Sequence, residues 1–349
     1  MTQLTRIAII TRKAIRYGIY GIIGIIIARS IILTGVKIYK HFFPEPPPPP
    51  TVAYGKLPSV PFPTQEALSG YTFSLETATG ELPTFAESVN VYFMPKPSSQ
   101  LMSLDEAKAK AEDLGFDPSG AEVTETIYSF KGEEFPAELK ISTVTGVFSI
   151  SYSLTEDPSP LEKRPPASEV AAARARSFMS TAKILPKDLT GSTVPEPVKL
   201  ENQKIVGAAS LSDANFVKVH FFRKNYGDYP SLTSEPNKAN VWFIVSGESQ
   251  KEKQIIAAEY HYFSVDESES STYPIKTAQE AWNEFQQGKA YIANLGTSSS
   301  GSNIVIRKIY LAYYDSGVVM DFYQPIIVLE GDKDFVAYVP AVTAEYYGE

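Results

Sequence analysis

Ser180 and Lys183 stand in an S-x-x-K pattern, the spacing at which a lysine one helical turn on can take the proton of a serine nucleophile. Ser212-Asp213 and Lys276-Thr277 match the first two letters of S-D-N and K-T-G, the motifs that accompany such a serine in acyl-transfer enzymes. The remaining letters differ: Asn is at 215, and Ala278 stands where the glycine belongs. Ser180 also falls at the end of a predicted helix, and the chain lacks the long helical domain that this chemistry uses. No G-x-S-x-G nucleophile elbow is present. Three histidines occur, His41, His220 and His261. The last two lie on predicted strands that could run side by side and hold a metal, but no acid-and-histidine cluster at ligand spacing supports them. Cysteine is absent, which excludes disulfides, thiolate metal sites and a cysteine nucleophile. The expectation is no catalytic residue, no metal and no cofactor.

What remains are surfaces. Tyr310, Tyr313, Tyr314, Phe322 and Tyr323 crowd the last long predicted strands, and alternation puts about half of them on one face. If that face is exposed, Tyr310, Tyr314 and Tyr323 could bind a glycan or a partner chain. If it is the helix-packed side of a sheet, they are core. The net charge is −8, and the basic residues beyond the N-terminus are scattered, so nucleic acid is not an expected partner.

The elements that must position these residues begin with Tyr17–Val36, an apolar run long enough to cross a bilayer as a helix. Arg6, Arg12, Lys13 and Arg16 precede it, and no acidic residue appears before Glu45. The positive-inside rule then places the N-terminus in the cytoplasm and the body outside, with Lys37 and Lys40 weakening that orientation without reversing it. The run exceeds a signal-peptide core and no A-x-A site follows it, so an uncleaved anchor is expected. Arg29 lies within the run, where a central charge costs at least about 2.5 kcal/mol unless it snorkels or finds an acidic partner. Gly24 and Ala28, like Ala14 and Gly18, are small residues four apart, a spacing that lets helices approach closely. Arg29, Gly24, Ala28 and Gly18 are therefore the candidate contacts with a membrane partner, and a homodimer through this helix is an open alternative.

After the anchor (1–43), Pro44–Pro50 predicts a stiff polyproline spacer, continued by Pro58, Pro61 and Pro63 to about residue 65. The body then repeats one plan, a helix followed by antiparallel strands. Module 1 (66–157) has a capping box at Ser103–Glu106 and strands at 121–130, 137–143 and 147–154. Module 2 (158–270) opens on the proline-rich break Pro158–Pro166, with a helix over 168–184 and Val170, Ala173, Phe178 and Met179 as candidate buried residues. Strands follow at 204–209, 216–223, 241–245 and 254–265, and Asp266–Ser271 reads as an acidic loop. Module 3 (271–349) has a capping box at Thr277–Glu280, a hinge at Thr297–Ser302, and strands at 304–314, 318–329 and 335–339. The fold class is α+β: one transmembrane helix, then tandem modules of a helix on an antiparallel sheet.

Tyr273–Ala281, Ile306–Tyr314, Gln324–Gly331 and Ala337–Val339 give, in order, a capped helix, a long strand, a strand ending in P-x-x-V-x-E-G and a short last strand. In that order and in the N-in anchor, the chain resembles membrane-anchored extracytoplasmic regulators of the YycH/YycI type, and more loosely the PepSY module. The resemblance implies a non-enzymatic regulator acting on a membrane partner, such as a sensor kinase or an envelope complex. The alternatives are an envelope scaffold held off the membrane by its proline rod, and an envelope hydrolase.

Overall fold

The computed structural model describes residues 3–42, 49–65, 70–96, 102–297 and 303–348. Most of the proline run (44–48) and of the TSSSGS hinge (298–302) lies outside the described residues. Helix α1 (Gln3–Phe42) contains Arg16–Lys37, long and apolar enough to cross a membrane. From Tyr20 to Lys37 its side chains are exposed all round, the pattern that lipid rather than water can solvate. The chain divides after Pro49, and residues 50–349 form a compact unit of their own.

In that unit β1 (Thr72–Leu75) and β2 (Ser88–Phe93) precede α2 (Leu104–Asp113). A meander follows: β3 (Glu122–Val123), β4 (Ile127–Lys131), β5 (Ala137–Ser142) and β6 (Phe148–Tyr152). Helix α3 (Ser168–Thr181) opens a second set: β7 (Thr193–Glu201), β8 (Lys204–Gly207), β9 (Phe216–Phe221), β10 (Ser231–Leu232), β11 (Val241–Val245) and β12 (Ile255–Tyr260). Then come β13 (Asp266–Pro274), α4 (Ala278–Gln286), β14 (Tyr291–Asn294), β15 (Asn303–Tyr314), β16 (Phe322–Tyr323), β17 (Pro325–Gly331) and β18 (Val336–Pro340). The α+β class is the observed one.

Nine strands form one sheet in the order β3-β4-β5-β6-β12-β11-β9-β7-β8. It is two helix-plus-meander halves joined edge to edge, because the last strand of each half, β6 and β12, pairs antiparallel with the other (Ile150 opposite Ala258). Joining the halves this way buries one edge of each sheet, the groups that otherwise invite unwanted pairing. Helices α2 and α3 share its inner face with Phe130, Leu139, Ile150, Val219, Phe243 and Ala258 in one core. Both capped helices start where the side chains dictate. The Ser103 hydroxyl accepts from the Glu106 N–H while Glu106 accepts from the Ser103 N–H, and Thr277 and Glu280 repeat this on α4. Helix α3 has no such cap. It buries Ala171, Ala175 and Met179 rather than Val170 and Ala173, because the small residues at i and i+4 let it settle closely on the sheet.

Strands β7 and β13 differ from the sequence expectation. The prolines of 193-TVPEPVKLE-201 argue against a strand, yet β7 lies inside the large sheet. The Pro197 carbonyl accepts from the Ala208 N–H on the side away from β9, so the N–H groups that Pro195 and Pro197 lack would face outward. Asp266–Ser271 is not a loop but the start of β13, which pairs with β2 across an irregularity between Asp266 and Ser270. The expected boundary at residue 271 therefore falls inside a strand.

The C-terminal sheet runs β1-β15-β17-β18-β14, with β10 also on β15, and β13-β2-β16 form a third, small sheet. Here the strand after the helix, β14, pairs with the last strand, β18, so this unit closes differently from the two meanders. Helix α4 covers one face through Trp282 and Phe285, packed with Leu311, Ile327 and Val339. The other face is covered by Val60 and Phe62 of the chain's own N-terminal segment, while Leu57 packs with Val91, Tyr273 and Val342 by the small sheet. Leu57 and Val60 are buried, and Phe62 stacks on Tyr291 with ring centres 5.0 Å apart. Residues 51–62 thus dock on the body instead of continuing a free proline rod, because Leu57, Val60 and Phe62 find apolar seats there.

Candidate binding cleft between the helices

Where the two halves of the large sheet meet, the C-terminal ends of α2 and α3 leave a cleft of about 370 Å³. Ala137, Ile150 and Ile255, from β5, β6 and β12, line its floor, and Phe116 and Phe135 meet edge to face at 5.6 Å on one side. Arg174, Ser177, Phe178 and Thr181 line the other side. Their spacing of three, four and seven puts them on one face of α3. Arg174 Nη1 donates to the Ser246 carbonyl at 2.7 Å, which fixes the guanidinium at the rim. Lys183, just beyond α3, donates to Asp113, the last residue of α2, at 2.7 Å. That tie spans the ends of both helices. An apolar floor with a few convergent polar groups, at this volume, is the usual form of a small-ligand or side-chain pocket.

The cleft holds no histidine, and the S-x-x-K lysine is not a base. Its hydrogen bond to Asp113 raises the Lys183 pKa, which favours the charged amine over the free base that activating Ser180 needs. Lys276 pairs with Glu284 at 2.8 Å, Thr277 caps α4, and Ser212 bonds with Ser210 in the turn after β8. The three motif fragments therefore serve separate local structures. His220 and His261 do not face each other, because β11 separates β9 from β12. The buried His220 accepts the Ala239 N–H at Nδ1, and His261 pairs with Glu259 at 3.0 Å. The side chain of His41 is outside the described residues. Among the described residues no group of three or more metal-ligating side chains converges.

The expected surface aromatics are not a surface. Tyr314 and Tyr323 are 1% and 0% exposed, and Tyr310 is partly buried with its hydroxyl on Glu330. Tyr310 and Tyr314 lie on the face under Val60 and Phe62, whereas Tyr323 belongs to the core on the α4 side. Arg29, Gly24, Ala28 and Gly18 are all exposed on α1, and nothing lies within 4 Å of a Cβ built on either glycine.

Sequence reading missed the most heavily charged buried site. Arg223, just after β9, is 4% exposed. Its Nη1 donates to Asp188 at 2.5 Å, its Nη2 to the Phe263 carbonyl at 2.5 Å, and its Nε lies 3.0 Å from Asp315. Asp188 also accepts from the Tyr226 and Tyr262 hydroxyls at 2.8 and 2.7 Å. Burial works against the guanidinium charge, but Asp315 and Asp188 outweigh it and raise the pKa. The cluster joins the end of a large-sheet strand to the loop after β15. No spacing signals it, since its charged members, Asp188, Arg223 and Asp315, are 35 to 127 residues apart in loops and strand ends.

No protein-family model matches the chain, and no curated protein matches it. Solved structures similar to it include an uncharacterized protein from Eubacterium rectale, 12% identical over 81% of this chain and 90% of that one, with a TM-score of 0.40. YycH from Bacillus subtilis is similar at 11% identity over 76% of this chain and 54% of its own, with a TM-score of 0.33. The C-terminal domain of Bacillus megaterium YpeB is similar at 11% identity over 70% and 95%, also at 0.33. YycH, whose type the sequence resembles, is among these similar structures.

Proposed function

We propose that the chain is a non-catalytic binding protein held to a membrane by α1, with residues 50–349 outside the cytoplasm, and that it modulates a membrane partner. The N-terminal basic residues support that orientation. The observation that carries the binding reading is the cleft between α2 and α3. It offers an apolar floor sized for one or two side chains or a small amphiphile, under a rim of Arg174, Ser177 and Thr181. Its lysine tie is spent on structure rather than chemistry. The anchor contributes to partner choice through Arg29 and the small residues Gly18, Gly24 and Ala28.

The test is photo-crosslinking in native membranes from a probe at Thr181, with the captured proteins identified by mass. Ser177→Trp fills the cleft from an exposed position on α3, so the fold should hold while capture falls at least about tenfold. Undiminished capture by Ser177→Trp sinks the cleft as the binding site. Recovery of self-dimers alone sinks the regulatory reading.

A further inference from the structure

The face of the C-terminal sheet opposite α4 is a row of tyrosines. Tyr310, Tyr338 and Tyr291 stand in register across β15, β17, β18 and β14, with Val328 between the first two, and Tyr314 lies nearby on β15. Val60 and Phe62 of the segment 57–63 (LPSVPFP) pack over it, in a stretch without helix or continuous strand, as prolines at 58, 61 and 63 require; Leu57 packs apart from it, with Val91, Tyr273 and Val342. Phe62 stacks on Tyr291 and meets Tyr314 edge-on at 4.8 Å. Leu57 exchanges hydrogen bonds with Tyr346 and Gly348, Val60 N–H donates to the Tyr347 hydroxyl, Gln324 donates to the Pro58 carbonyl, and just beyond, Gln65 donates to the Ala290 carbonyl and accepts from the Ile292 N–H. An extended proline-rich segment on a bed of aromatic rings is a known mode of peptide recognition, here made within one chain.

The seat is not filled to satisfaction. Tyr338 is fully buried beneath the segment, yet its hydroxyl has no hydrogen-bond partner. The buried Tyr314 hydroxyl lies near Ser234 but without the geometry of a hydrogen bond. A buried hydroxyl that has lost water and gained nothing destabilises the closed arrangement. A ligand that presents a carbonyl to Tyr338 removes that cost. Proline carbonyls are strong acceptors that have no N–H of their own to satisfy.

We propose that this tyrosine face is a docking groove for an extended proline-rich peptide of a partner protein, kept closed by Val60 and Phe62 of the chain's own 57–63 strap. Thr51, Val52, Ala53 and Tyr54, which precede the strap, are hydrogen-bonded to β13, so release of the strap opens the groove without freeing the tether. This site is separate from the α2–α3 cleft and does not depend on it.

The full chain in detergent, with a labelled decaproline peptide as probe, tests the proposal by fluorescence anisotropy. The tethered strap competes at about millimolar effective concentration, so the wild type should bind weakly. Phe62→Ala, which removes the stack but no backbone bond, should bind about tenfold more tightly, and Val60→Asp with Phe62→Ala more tightly again. Thermal melting of each variant establishes that the body is folded, and the milder substitution serves if the double one is not. In the Phe62→Ala background, Tyr338→Phe should weaken the probe severalfold. A Gly-Ser peptide of equal length should bind none of them. Absence of decaproline binding to folded Phe62→Ala overturns the proposal, as does equal binding to wild type and variant. So does a dimer appearing on strap release with no peptide bound, since it makes a second copy's strap the occupant.

Discussion

Lys183 Nζ donates to Asp113 Oδ1 over 2.7 Å, joining the residue beyond α3 to the last residue of α2 at the end of the cleft. Lys183 has a left-handed backbone, φ 57°, because it ends α3: its N–H donates to the Ser180 carbonyl and that of Ile184 to Met179. The Asp113 bond raises the lysine's pKa and favours the charged amine, which cannot activate Ser180. A fluorophosphonate probe should therefore leave Ser180 unlabelled, as read by peptide mass, and Ser180→Ala should behave as wild type in partner capture. Labelling at Ser180 would falsify the non-catalytic reading. The pair is well exposed, at 75% and 40%, so Lys183→Ala should move the melting temperature little and less still in high salt.

The Arg223 cluster should matter far more to stability. Arg223→Met leaves Asp188 and Asp315 buried without their cation, and breaking a buried pair from one side costs about 3–5 kcal/mol. Denaturant titration should show that loss. Adding Asp188→Asn and Asp315→Asn removes the stranded charges, while the new amide oxygen at position 188 can still accept from Tyr226 and Tyr262. The triple variant should therefore recover much of the loss. A triple variant as unstable as Arg223→Met would mean the guanidinium's packing on Tyr262, 4.5 Å away, outweighs its charge.

Acid should loosen the large sheet at His220. Burial, and then Lys218, lower its pKa, with Lys238 adding to this and Glu196, 3.5 Å from Nε2, opposing it. A lowered folded pKa means that the unfolded chain takes the proton first. The stabilisation is therefore complete above the unfolded value near 6.5 and is lost as pH falls toward the depressed one. Protonation of Nδ1 would also end its acceptance of the Ala239 N–H. His261 has the opposite sign, because Glu259 raises its pKa and its contribution fades as pH rises through that raised value. His220→Asn keeps an acceptor without a titrating ring. Its stability curve should be flatter than wild type between about pH 6.5 and 5, and parallel curves would exclude His220.

The capped helices were readable because their signals are local: Ser103 with Glu106 and Thr277 with Glu280 each lie within one turn. Strands β15 and β18 were readable from alternation, but the single strand expected over 318–329 is two, β16 on β2 and β17 on β15, because they join different sheets. The rest depends on partners distant in the chain. β7 is a strand despite Pro195 and Pro197 because β9 takes only the side on which they lack nothing. Val60 and Phe62 looked like spacer because their seat, Tyr291 to Tyr338, comes more than 220 residues later. The same distance hid the tyrosine face, whose residues alternate as an exposed strand would until the strap is placed over them. The α2–α3 cleft is a product of two edges meeting, and nothing in either half alone announces it.

Arg29 gives the remaining test of the anchor. It sits on an exposed side of α1 inside the stretch that is long enough to cross a membrane. An arginine there either snorkels to the headgroups or pairs with an acid on another helix. Snorkelling predicts that Arg29→Leu leaves membrane extraction and crosslinking unchanged. Pairing predicts that extraction stays the same while crosslinks to the partner from a probe at Ile31, exposed on the same face of α1 as Gly24, fall at least about fivefold, with partial recovery by Arg29→Lys. Gly24→Leu should reproduce the loss if close helix approach is needed, since the added side chain fills space that is empty beside an isolated α1. We expect the second pattern, and unchanged crosslinks in both Arg29→Leu and Gly24→Leu would confine partner recognition to residues 50–349.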